Sequence, residues 1–139
     1  ELGVVEPAGG PWASPVVFIP KLDGSVRFCV DYRRLNAFTC KDSYALPRID
    51  DSLDSLGGAQ LFSTLDANSG YWQIAVAPKD QDKTTFTTHR GLFRFNRLPF
   101  GLVSAPATFQ GAIDVILSSV RFRCALTYLD DIIVYSHSF

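Results

Sequence analysis

The chain of 139 residues is long enough for one domain with its own core. Its 47% hydrophobic and 19% charged residues exclude a disordered or fibrous chain. No run approaches the roughly 18 apolar residues of a membrane helix, and a net charge of −1 lacks the basic surplus of a free-standing nucleic-acid binder.

The chain begins Glu1-Leu2-Gly3-Val4-Val5, without the basic-then-apolar pattern of a secretory signal. Residues 1–15 are rich in Gly and Pro and read as an extended lead-in. Val16-Val17-Phe18-Ile19 is β-branched and reads as a strand. Leu22-Asp23-Gly24-Ser25 turns the chain, and Val26 to Val30 alternates as a half-buried strand should. The result is a β-hairpin with Lys21 and Arg27 near its tip. Pro47 to Leu56 reads as a helix, opened by Pro47 and stopped by Gly57. Ile49, Leu53 and Leu56 form its apolar stripe, and Asp50, Asp51 and Asp54 its solvated face.

Leu61 to Leu65 is a strand that delivers Asp66 at its end. Thr84 to Thr88 and Leu92 to Phe95 flank His89-Arg90-Gly91 as a second hairpin. Ser104 is a candidate cap for a helix to about Leu117, with Phe109, Ile113 and Ile116 as its apolar stripe. Cys124 to Tyr128 and Ile132 to Tyr135 are strands joined around Asp130-Asp131. The fold class expected is α+β, an antiparallel sheet with helices on one face. Cys29, Cys40 and Cys124 form no C-x-x-C pair and read as reduced thiols of an intracellular protein. His89 and His137 stand in no recognisable catalytic motif and read as surface or packing residues.

Asp130-Asp131 is physically odd for a hairpin tip. Adjacent carboxylates repel, and ordinary tight turns take Asn-Gly or Asp-Gly. A divalent cation would relieve that repulsion, since carboxylate oxygens suit Mg²⁺. Asp66 closes a second apolar strand, and Leu98-Pro99-Phe100-Gly101-Leu102 followed by Ala105-Pro106-Ala107-Thr108-Phe109-Gln110 lies between the two acidic sites.

The order of Leu65-Asp66, that Leu-Pro-Phe-Gly segment and Tyr128-Leu129-Asp130-Asp131 resembles reverse transcriptases, most closely those of Ty3/gypsy-type retrotransposons. Ser14-Pro15-Val16-Val17, Lys21 to Ser25, Arg27 to Asn36 and Tyr44 to Asp50 resemble that family's fingers. The resemblance covers almost the whole chain. It implies a truncated right-hand polymerase fold over 1–139, fingers-like at about 14–50 and palm-like at about 58–139.

The function implied is RNA-directed DNA polymerisation by two-metal nucleotidyl transfer. Asp66, Asp130 and Asp131, with the Ala67 carbonyl, would hold two Mg²⁺ ions, Mn²⁺ being a substitute. Lys21, Arg27, Ser69, Gly70, Tyr71 and Phe100 would bind the nucleotide, with Tyr71 under the sugar where it would clash with a 2′-hydroxyl. Asn96, Arg97, Gln110 and Tyr128 would touch an RNA or DNA template-primer. Three departures stand out: Leu22 where the family often has Lys, Ala67-Asn68 after the catalytic Asp, and Phe100 where retroviral relatives carry Gln.

With no Met anywhere, the chain is expected to be a fragment without thumb, connection or ribonuclease H segments, weakly active by itself. A second expectation is a domesticated, non-catalytic binding or structural remnant. Self-association is expected through a strand edge left open beside Ile132 to Tyr135.

Overall fold

Short β-branched and aromatic runs, each ended by a turn residue, break this chain into many brief elements. The structure, a computed structural model, describes residues 3–138. Glu1, Leu2 and Phe139, at the ends of the expected domain, lie outside the described residues. In chain order the strands are β1 (Val5–Pro7), β2 (Val16–Pro20), β3 (Val26–Val30), β4 (Leu61–Asp66), β5 (Phe86–Thr88), β6 (Gly91–Phe95), β7 (Ala125–Tyr128) and β8 (Asp131–Ser136). The helices are α1 (Arg33–Phe38), α2 (Ile49–Ser55), α3 (Pro78–Gln81) and α4 (Ala105–Ile116). All strand ladders are antiparallel, as the α+β reading expects.

The chain divides into two compact units, each discontinuous in sequence: residues 1–41 with 71–105, and 42–70 with 106–139. These units do not coincide in sequence with the fingers-like 14–50 and palm-like 58–139 stretches. The expected palm-like hairpin β5–β6 pairs with β1 from the N-terminal stretch, so it belongs with the first unit.

In the first unit, β2 and β3 form the expected hairpin, with Val16 opposite Val30 and Pro20 opposite Val26. Its tip closes by Lys21 N–H donating to the Ser25 carbonyl at 2.8 Å. The sheet β1-β6-β5 is latched where the Arg94 guanidinium meets Glu6 and Asp82. Tyr32 is 2% exposed, and its hydroxyl donates to the Thr84 carbonyl at 2.7 Å. Burial pushes that phenol well above the usual tyrosine range. Short α1 went unread, because six residues carry too little periodicity. Its start is held by the Asp31 carboxylate, which accepts the Arg33 N–H and guanidinium and is drawn down to about 2.

In the second unit the sheet order is β4-β8-β7. The strand expected to lie at an open edge, Ile132 to Tyr135, is therefore the centre of its sheet, and β4 and β7 are the edges. Tyr135 is buried, and Phe62 and Leu65 on β4 are exposed. On α2 the apolar stripe is only partly covered: Ile49, Leu53 and Leu56 border a shallow groove with Leu126 and Ile133.

Helix α4 departs most from expectation. Phe109 is buried, but Ile116 is 70% exposed, and the side chains buried with Phe109 are Ala105, Gln110 and Asp114. The inward face is thus rotated toward two polar residues one turn apart. Hydrophobic periodicity cannot find a buried face that is polar.

Candidate nucleotidyl-transfer site

The second unit brings the aspartates together through strand register. Asp66 stands opposite Asp131 across the β4–β8 ladder, and Tyr128 stands opposite Asp131 across β7–β8. Directly opposed residues present their side chains to one face of a sheet, so Asp66 and Asp131 share a side. Asp130 sits in the two-residue turn between β7 and β8, and its carbonyl accepts the Ala67 N–H at 3.0 Å. That bond ties the turn to the end of β4.

The Asp130 carboxyl is the most stressed of the group. Its Oδ1 is buried and has no hydrogen-bond partner. Burial, then the charges of Asp66 and Asp131, push it above the usual carboxylate range. Gly70 lies against it: a Cβ built there would come within 3.1 Å of Asp130 Oδ1 and 2.7 Å of the Phe109 ring. An orphaned buried oxygen, like charges around it and an all-oxygen donor set fit a hard divalent cation. As they stand, no three carboxylate, imidazole or thiolate side chains among the described residues converge closely enough to hold an ion.

The turn after Asp66 is tight. Ser69 adopts φ 51°, and Gly70 N–H donates to the Ala67 carbonyl at 3.1 Å. That bond closes the turn with the Gly70 amide. The Ala67 carbonyl retains a second lone pair.

In the first unit, Lys21 and Arg27 share a shallow depression at the hairpin tip with Leu22 and Asp23. Arg27 also borders a cavity of about 480 Å³ walled by Phe28, Trp72, Phe95 and Phe100. Tyr71 is 8% exposed, with its ring centroid 4.8 Å from that of Phe100. Trp72 crosses Phe100 edge-on at 6.3 Å, and its indole nitrogen is buried without a partner. Sequence reasoning missed Trp72; its signal was a second aromatic beside Tyr71 in the turn Gly70–Gln73.

The four expected nucleic-acid contacts fare differently. Gln110 is 0% exposed, and both ends of its amide are bonded internally, to Asp114, Thr127 and the Leu129 N–H. Asn96 donates to the Glu6 carboxylate at 3.0 Å, and Arg97 reaches the Gln73 carbonyl at 3.5 Å. Tyr128 is exposed beside the acidic turn.

Residues 19–138 match the family described as reverse transcriptase (RNA-dependent DNA polymerase). The chain is 42% identical to the retrovirus-related Pol polyprotein from transposon opus of Drosophila melanogaster, over 99% of this chain and 14% of that polyprotein. It is 37% identical to the polyprotein from transposon gypsy of the same fly, over 98% of this chain and 14% of the relative. An RNA-directed DNA polymerase homolog of Oenothera berteroana is 44% identical over 83% of this chain and 81% of its own length. Among solved structures, the foamy viral protease-reverse transcriptase in complex with an RNA/DNA hybrid superposes with a TM-score of 0.83. Identity there is 25%, covering 98% of this chain and 18% of that one. The chain therefore spans 10–14% of the length of the transposon polyproteins it matches. An acidic turn joined to a neighbouring strand end, on a fold shared with a solved reverse transcriptase, leads to one assignment: this chain belongs to the reverse transcriptase family, in its gypsy-like retrotransposon branch.

Proposed function

We propose that this chain is the nucleotidyl-transfer part of an RNA-directed DNA polymerase within a longer retrotransposon polyprotein. The observation that carries the reading is the cross-strand pairing of Asp66 with Asp131 beside the unpartnered Asp130 oxygen. Reverse transcriptases as a family use divalent metal ions. Asp66, Asp130 and Asp131, with the Ala67 carbonyl, are the donors for two Mg²⁺ ions, with Mn²⁺ as substitute. Such ions, when bound, supply charge neutralisation at the primer 3′-oxygen and the leaving pyrophosphate. Phosphoryl transfer needs little else from protein side chains beyond positioning.

In the first unit, Lys21 and Arg27 take the triphosphate, as hairpin-tip cations do well. The aromatic cavity beside Arg27 takes the sugar, with Tyr71 and Phe100 as its expected determinants and Trp72 added by the structure. Tyr71, whose ring packs against Phe100, is the residue proposed to reject a 2′-hydroxyl. The partners are template-primer and deoxynucleotide, inside the cell, consistent with free thiols at Cys29, Cys40 and Cys124. Among the described residues no helix is long and apolar enough to cross a membrane.

The test is primer extension on an RNA template by the polyprotein carrying this segment. Mg²⁺-dependent incorporation that stops on chelation is expected. Incorporation indifferent to divalent ions would remove the reading.

The isolated chain is also proposed to self-associate, through the edge of β4, where Phe62 is 53% and Leu65 55% exposed. Light scattering should give a mass above one chain at high concentration. Charge placed at Phe62 should return it to one chain, and a monomer at all concentrations contradicts the proposal.

A further inference from the structure

Asp114 is the hub of a buried hydrogen-bond cluster that the transfer chemistry does not itself require. It is 7% exposed on α4, in a unit whose other buried side chains are mostly apolar. Its Oδ1 accepts Gln110 Nε2 at 2.8 Å and the Thr127 hydroxyl at 3.1 Å. The Tyr44 hydroxyl donates to its Oδ2 at 2.6 Å, and Arg121 Nη1 approaches that oxygen at 2.8 Å. The donors come from the stretch before α2, from the segment after α4, from β7 and from α4 itself. Burying a charge is not the cheapest way to stabilise a fold, since apolar residues of like volume often do as well. What a fully bonded charge supplies is orientation.

The orientation is transmitted through Gln110. With Nε2 committed to Asp114 and Thr127, its Oε1 faces the Leu129 N–H and accepts it at 2.8 Å. Leu129 has φ 53°, a left-handed conformation that a side chain resists, and it directly precedes Asp130. This side-chain acceptor on the strained turn is therefore aimed by Asp114.

We propose that Asp114 is a positioning residue for the acidic turn, acting through Gln110 to hold Leu129 left-handed and so to set Asp130. The inference rests on the polymerase reading only for its consequence in ion binding. Partners that orient metal-binding groups commonly weaken affinity roughly tenfold or more when removed.

The experiment compares this chain with Asp114→Ala and Asp114→Asn by amide hydrogen exchange and by Mn²⁺ titration. Asp114→Ala should speed exchange at Leu129 about tenfold or more. It should leave the Tyr135 amide, bonded to Cys124 in the same sheet, unchanged. It should also weaken Mn²⁺ binding roughly tenfold. Asp114→Asn keeps an oxygen toward Gln110 and should restore both. Equal acceleration at Leu129 and Tyr135, or a Leu129 amide still protected, overturns the proposal. Should Asp114→Ala fail to fold, Tyr44→Phe decides by the same two amides, with the same expected selectivity. A wild-type chain that takes up no Mn²⁺ removes the polymerase reading and leaves the clasp to be judged on Leu129 alone.

Discussion

If the polymerase reading holds, Asp130→Asn is expected to abolish nucleotide incorporation by the polyprotein carrying this segment and, at the same time, to stabilise the metal-free protein. The two effects have one cause. Asp130 Oδ1 is buried without a partner, and the charges of Asp66 and Asp131 act on the same carboxyl. On the proposed reading that concentration of negative charge would attract a cation, and it burdens the fold without one. Removing one ionised ligand should cost several kcal/mol in the transition state, a fall on the order of 1000-fold in rate. Removing the same charge from the metal-free fold should raise its melting temperature.

The pH dependence of that gain has a definite sign. The folded carboxyl is raised above its value of 3.8 in the unfolded chain, by burial first and then by its acidic neighbours. The folded state therefore holds this proton more tightly than the unfolded state. The penalty on wild type is absent below the unfolded value, grows as pH rises through the folded one and then stays constant. Melts with chelator across that range should show the variant's advantage opening upward from acid. Saturating Mg²⁺ should reverse the order, because only wild type gains binding energy on folding. Normal extension by the variant, or a lower melting temperature in chelator, would contradict the role given to Asp130.

Gly70→Ala should lose stability while Gly111→Ala gains it, although both add one methyl. At Gly70 the new carbon would lie 2.7 Å from the Phe109 ring and 3.1 Å from Asp130 Oδ1. Phe109 is 2% exposed, so its ring can give way only by displacing buried neighbours. Overpacking of this kind costs about 1–3 kcal/mol, here roughly 4–10 °C, and it would displace the carboxylate as well. At Gly111, inside α4, the nearest atoms are those of the Tyr44 ring at 3.5 to 3.7 Å, ordinary contact distance. There the methyl removes a flexible helix residue at no steric cost and should add about 0.5–1 kcal/mol. Thermal melts of both variants check the pair. A neutral Gly70→Ala would mean that nothing rigid encloses Asp130.

Much of the local architecture was legible. Val16 to Val30 announced a hairpin through alternation and Asp-Gly, and β2 and β3 pair as that pattern requires. Asp66 and Asp130-Asp131 stood out because carboxylates at the ends of apolar strands violate local preference. The division into units was not legible, since β1 joins β6 across most of the first unit's sequence. The edge of the second sheet was misjudged for the same reason. Strand order depends on which partners arrive from afar, and a strand's own composition does not record it.

The sequence by itself determined most of the strands, their turns and the standing-out of the three carboxylates, because these follow from period, propensity and the oddity of adjacent charge. Only the tertiary structure decided that α4 turns Gln110 and Asp114 inward, and that Trp72 stands with Phe100. A polar side chain is stable inside only when donors and acceptors meet it. Those of Asp114 come from as far away as Tyr44, 70 positions distant.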